Sequence, residues 1–401
     1  MTLRSAIFWL HLVAGTVAGA IILILCVTGV ALAFEKEFLA WAERDQRRIT
    51  SPSPTAASLN LDDQIARARE LRSGTMPSAI TVFAAPNATT LVTFGRDDVL
   101  YLDPYSGSLV GHGSPNIRLF LKTLIEWHRW LGASGDHQAT GKAVTGVANL
   151  IFLGLAFSGL VLWWPKPWST ARLRSTLLPD LRATGKARDW NWHHAFGFWS
   201  TPFLIVLTVT AVPISYRWAG EWIERTFASS PATSADSAKT NARDHERVIA
   251  NASAPQRSRE ADLRIVKQQI ADWEQITLRL TAAGSRRGGP SATTVPPENT
   301  ATSNFAVMTK GQRPRFISQQ ITVDSSTGDI VRRENYANQS TARKVRSWMR
   351  FLHTGEALGI AGKTAAAAAS LAGVLLVWTG LALALRRWSA WRRRRRAISM
   401  S

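Results

Sequence analysis

Asp189-Trp190-Asn191-Trp192-His193-His194-Ala195-Phe196-Gly197-Phe198-Trp199 decides how the chain is read. Two adjacent histidines open a long apolar run, and Gly197 follows His193 by one helical turn. The N-terminus repeats the arrangement with Trp9, His11, Gly15 and a further apolar run. Histidine is costly inside a membrane, so its return at the mouths of two apolar helices points to a function. A pair of such histidines can clamp the iron of a haem from two sides.

Working outward, apolar and polar blocks alternate along the 401 residues, although the chain is only 46% hydrophobic. Four apolar runs are long enough to span a bilayer: residues 1–34, 142–165, 191–217 and 364–386. The first lacks a nearby A-x-A cleavage site and is read as a retained helix. The net charge of +20 could suggest nucleic acid, but much of the basic excess flanks the apolar runs. Such placement orients a membrane protein, so no nucleic-acid partner is expected and lipid is. The loop 166–190 and the tail 387–401, with Arg392 to Arg396, are short and basic and read as cytoplasmic. Both termini then lie inside. Many of the 17 Trp sit at the ends of apolar runs, where interfacial rings belong. The single Cys26 lies within a run and excludes a disulfide framework or a thiolate metal site.

Residues 35–118 form the first outer domain: a helix over Asp62 to Leu71, then short strands at 79–83, 90–94, 99–102 and 108–111 around the turn Asp103-Pro104-Tyr105-Ser106-Gly107. Residues 119–141 carry an amphipathic interfacial piece with Trp127-His128-Arg129-Trp130. The second outer domain, 218–345, holds loose Ala/Ser/Thr/Pro-biased segments at Ser229 to Ala254 and Gly284 to Ser303, a helical pattern over Ala261 to Leu280, and strands around Asp324 to Gly328. A second interfacial segment spans 346–363.

The two halves match. His11, Gly15 and Val27-Thr28-Gly29-Val30 correspond at equal offsets to His193, Gly197 and Val209-Thr210-Ala211-Val212. His128 precedes Gly141-Lys142 and a span, as His353 precedes Gly362-Lys363 and a span. The repeat makes His193, rather than His194, the counterpart of His11.

With H-x-x-x-G opening two spans, Trp163-Trp164-Pro165 closing another, Phe351-Leu352-His353-Thr354-Gly355 before the last and two Asp-to-Gly turns, the chain resembles the PepSY-associated transmembrane family of bacterial inner-membrane proteins. The resemblance covers both halves. It implies a membrane α-helical protein with four transmembrane helices and two periplasmic α+β PepSY-like domains, arranged as an internal duplication. It also implies kinship with haem-containing ferric-siderophore reductases, although other members are known only as PepSY-bearing membrane proteins.

By topology His11 and His193 lie at the cytoplasmic mouth, and His128 and His353 at the periplasmic mouth. Two same-side pairs predict two b-type haems with these four histidines as axial ligands, spaced to relay electrons across a span of about 30 Å. Gly15 and Gly197, on the histidine face one turn on, would leave room for the macrocycle. The same glycines also fit helix packing without a cofactor. His194 is expected to support its neighbour and could exchange with it; His137 could replace His128. Arg129, Lys142 and Lys363 are candidates for the outer propionates, or simply interfacial anchors. Dinucleotide, Walker, G-x-S-x-G and HExxH patterns are absent, so electrons must come from a quinol or a cytoplasmic reductase. The expected activity is reduction of ferric iron in a periplasmic chelate, a siderophore above all. A haem-free PepSY binding module and an iron-chelate permease are the rivals.

Overall fold

The computed structural model describes residues 2–50, 56–95, 97–164, 169–227, 257–280, 302–312 and 317–398. Pro165 and Lys166, the loose segment Ser229 to Ala254 and most of Gly284 to Ser303 lie outside these. The chain divides into two compact units: Met1–Glu35 with Leu121–Thr226 and Val345–Ser401, and Lys36–Phe120 with Phe227–Lys344.

Four helices of the first unit are long and apolar enough to cross a membrane. They run Leu3–Leu32, Gln138–Trp163, Gly185–Ser215 and Gly359–Ile398. Their main contacts form a ring in which the first and third helices each pack on the second and the fourth. The first and third are therefore diagonal. Thr2 caps the first helix by accepting the Ser5 N–H. Its buried stripe, Ala18, Ile22 and Cys26, recurs every fourth residue and faces neighbouring helices. Gly373 lets the fourth helix approach there, since a Cβ at that position would stand 2.6 Å from Cys26 Sγ. Small residues at such crossings let helices pack where no hydrophobic drive exists.

The second unit is built on one antiparallel sheet of eight strands in the order β4-β3-β2-β1-β5-β6-β7-β8. The strands are β1 Ala79–Phe83, β2 Thr90–Phe94, β3 Asp98–Leu102 and β4 Leu109–Gly111, then β5 Trp273–Arg279, β6 Thr302–Thr309, β7 Gln319–Asp324 and β8 Ile330–Glu334. Each set of four is a meander, and β1 pairs with β5 from Ala79↔Arg279 to Phe83↔Gln275. The strands of the two polar segments thus share a sheet and one core. That core joins Ile80, Val92 and Leu100 to Phe305, Val307 and Ile321 beneath the helices Leu61–Glu70 and Arg259–Gln269.

The helical pattern expected over Ala261 to Leu280 is corrected here. The helix ends at Gln269, and Trp273–Arg279 is strand β5. Ile276 and Leu278 alternate into the core, and this period of two prevails because β1 and β6 offer partners on both sides. The stretch expected to be loose up to Ser303 also ends earlier. Ser303 lies in β6 and donates its hydroxyl to Asp262 Oδ2 at 2.6 Å. Both Asp-to-Gly turns form as read. Asp103 Oδ1 accepts the Tyr105 N–H and Asp324 Oδ1 accepts the Ser326 N–H. Each turn closes on a glycine of positive φ, Gly107 at 69° and Gly328 at 84°.

Candidate functional site

His11 and His193 come from the diagonal first and third membrane helices. Their rings lie 6.5 Å apart, nearly perpendicular at 86°. His128 belongs to the helix Pro115–Trp130 and His353 ends the helix Thr341–His353. Their rings lie 6.3 Å apart at 53°. The histidines paired by sequence repeat are therefore paired in space.

Every ring is anchored through Nδ1. His11 meets Ser158 Oγ at 2.8 Å, His193 meets Thr379 Oγ1 at 2.9 Å and His128 meets Thr28 Oγ1 at 2.8 Å. His353 meets the main-chain carbonyl of Leu207 at 2.9 Å. The direction of these bonds follows from the acceptors. A hydroxyl has one hydrogen to give. Ser158 gives it to the Gly154 carbonyl at 2.7 Å, Thr379 to Leu375 at 2.7 Å and Thr28 to Ile24 at 2.6 Å. Each hydroxyl oxygen is left to accept, so the imidazole Nδ1–H donates. A carbonyl can only accept, and His353 has the same tautomer. All four rings thus keep a lone pair on Nε2, the state a metal ligand requires.

The spacing can be tested against a metal. Two imidazoles bound at about 2.0–2.1 Å, each with its centre about 1.1 Å beyond the nitrogen, put their centroids about 6.3 Å apart when the two nitrogens face each other across the metal. Both pairs have that separation. Among the described residues no group of three or more His, Cys, Asp or Glu could share an ion. A bare zinc ion takes three or four protein ligands. A pair instead suits a metal whose remaining positions are filled by a planar macrocycle, so the residues present fit haem.

The other expected residues are placed differently. His194 turns away, donating Nδ1–H to the Trp190 carbonyl at 2.8 Å with its ring 4.1 Å from that indole. His137 is exposed in the short turn Gly135–His137, and His128 takes the place opposite His353. A Cβ on Gly15 would meet Leu155 at 3.8 Å and one on Gly197 would meet Leu376 at 3.5 Å. These two glycines occupy equivalent helix contacts. Arg129 lies over the Trp130 ring, Lys363 is buried in the fourth membrane helix and Lys142 lies in the second. His112 is exposed, and His245 lies outside the described residues.

The end of the bundle that carries the first pair is also its basic end. Arg387 lies over Phe8 and Trp9, and buried Asp189 is held between Arg188 at 2.9 Å and Arg386 at 3.1 Å. Asp189 stands one turn before His193 on the same helix face. Sequence reading missed Asp189 and the hydroxyls of Ser158 and Thr379. The signal available was a Ser/Thr-Gly dipeptide inside an apolar run, at Thr28-Gly29, Ser158-Gly159 and Thr379-Gly380.

A family model described as the PepSY-associated TM region matches residues 8–387. No curated protein matches the chain.

Proposed function

The chain belongs to the PepSY-associated transmembrane family, and from that premise we propose that it is a dihaem oxidoreductase of the bacterial inner membrane. It takes electrons from a quinol or a cytoplasmic reductase and reduces Fe(III) in a periplasmic chelate, a siderophore, to Fe(II). The observation that carries this reading is the pair of histidine pairs, each with ring centres 6.3–6.5 Å apart and each ring held by Nδ1. His11 and His193 would hold one b-type haem and His128 and His353 the other. When bound, haem supplies reversible one-electron transfer at its iron. The protein's own part is to present Nε2 lone pairs at a set spacing and to exclude water with apolar helices. Fe(II) is bound less firmly than Fe(III) by hard oxygen ligands, so reduction loosens the chelate.

Equivalent partners in the two halves support an internal duplication. His11 binds the second membrane helix as His193 binds the fourth. Arg387 and Arg386 at the His11 end support cytoplasmic termini and a periplasmic sheet by the charge rule.

The test is spectroscopic. Protein expressed with ample haem is expected to show a Soret band equivalent to two haems per chain, and His193→Ala to lose one and keep the other. Absence of the band in the wild type refutes the reading. Reduced protein that no ferric chelate reoxidises would remove the reductase activity from it.

A further inference from the structure

Three histidine partners share a two-residue form. Thr28, Ser158 and Thr379 each back-bond their hydroxyl hydrogen to the carbonyl four residues earlier, and each receives a histidine Nδ1–H from another helix. Each is followed by glycine. A Cβ on Gly29 would lie 3.6 Å from His128 Cε1, one on Gly159 3.5 Å from His11 Cε1, and one on Gly380 3.3 Å from His193 Cε1. The hydroxyl therefore holds one edge of the ring while the adjacent bare backbone seats its Cε1. At the fourth corner the form is broken. Thr210 donates to Val206 at 2.6 Å and Leu207 at 3.1 Å, Ala211 replaces glycine, and His353 bonds the Leu207 carbonyl directly.

We propose that Ser158, Thr379 and Thr28, each with its following glycine, are positioning residues that lock the tautomer and orientation of His11, His193 and His128. The proposal rests on the haem reading above. A back-bonded hydroxyl is an acceptor only, so it prevents Nδ1 from becoming the lone-pair nitrogen. An imidazole that donates from Nδ1 is also a stronger electron donor through Nε2, which favours the ferric state of a bound haem. Ser158 and Thr379 act on one pair, and Thr28 on the other. Thr210 serves no ring hydroxyl bond and lies outside the set.

The experiment uses the full chain. Ser158→Ala and Thr379→Val are expected to weaken haem retention at the His11–His193 pair by about 10–100-fold and to shift its midpoint potential upward. The other haem should stay unchanged and so report that the bundle is folded. Thr28→Val should do the converse, Thr210→Val should resemble wild type, and Ser158→Thr, Thr379→Ser and Thr28→Ser should restore both affinity and potential. If Ser158→Ala, Thr379→Val and Thr28→Val bind both haems at wild-type affinity and potential, the positioning role is overturned and the haem reading stands. A wild-type protein without haem overturns both.

Discussion

At the scale of single residues, the histidines show why neighbours in sequence differ in role. His193 and His194 point about 100° apart on one helix. One faces His11 and the other folds back on Trp190. The repeat in the sequence already selects His193, because only that offset matches His11 and Gly15. In the sheet unit the decisive residue is Glu43. Its carboxylate is fully buried and takes hydrogen bonds from Tyr101 Oη, the Ser114 N–H and both Nε and Nη2 of Arg118. Burial pushes its pKa up, and the Arg118, Tyr101 and Ser114 bonds outweigh this and hold it below the ordinary value. A depressed carboxyl pKa contributes stability that is present above the unfolded value of about 4.3 and is lost as pH falls through the folded one. Glu43→Gln leaves Arg118 without its counter-charge and is expected to cost about 3–5 kcal/mol near neutral pH. Denaturant unfolding from pH 7 down to pH 3 should show the penalty shrinking on the acid side. A pH-independent difference would remove Glu43 as the titrating group.

At the scale of elements, the sheet shows how two distant segments become one structure. β1 and β5 are interior strands only because each pairs with the other as well as with its own hairpin partner. The paired hydroxyls of Thr81 and Thr277, 2.9 Å apart, mark the seam. Residues on both sides share one hydrophobic core. Phe305→Ala, at a position with no exposed surface, is expected to remove about 3–5 kcal/mol. Because the core is continuous, amide hydrogen exchange should quicken in β1–β3 as well as in β5–β7. Loss of protection confined to β5–β8 would mean that the two meanders unfold independently. The helix expected over Ala261 to Leu280 stops at Gln269 and gives way to strand β5 for the same reason. A segment such as Trp273-Glu-Gln-Ile-Thr-Leu-Arg is ambiguous on its own, and pairing with β1 and β6 decides it.

At the scale of the whole molecule, the basic residues at one end of the helical unit make a topological prediction. If Arg386, Arg387 and the Arg392 to Arg396 run are inside, as the charge rule and the proposed function have it, the polar segments that carry the strands are expected outside. An impermeant thiol reagent applied to intact cells should label Ser106→Cys, on an exposed turn of the sheet unit, and not Ser389→Cys near the basic end. The native Cys26 is buried and leaves the background low. Labelling of Ser389→Cys but not Ser106→Cys would invert the orientation.

Four spans, the polar segments between them, both Asp turns and the four pairing histidines were legible in the sequence. Each depends on a local or repeated pattern: an apolar run, an Asp-to-Gly turn, a histidine at a fixed offset from glycine as at His11 and His193, or a histidine ahead of a Gly-Lys pair and a span as at His128 and His353. The ring order of the helices and the union of two meanders in one sheet were not legible. Nor were the hydroxyls that hold the histidines. His11 finds Ser158 and His193 finds Thr379 across 147 and 186 residues of chain. A serine or threonine inside an apolar run looks the same whether it bonds only its own helix or also a ring from the next. That difference is made when helices pack closely enough for a hydroxyl, already committed to its own backbone, to have one lone pair left for a neighbour.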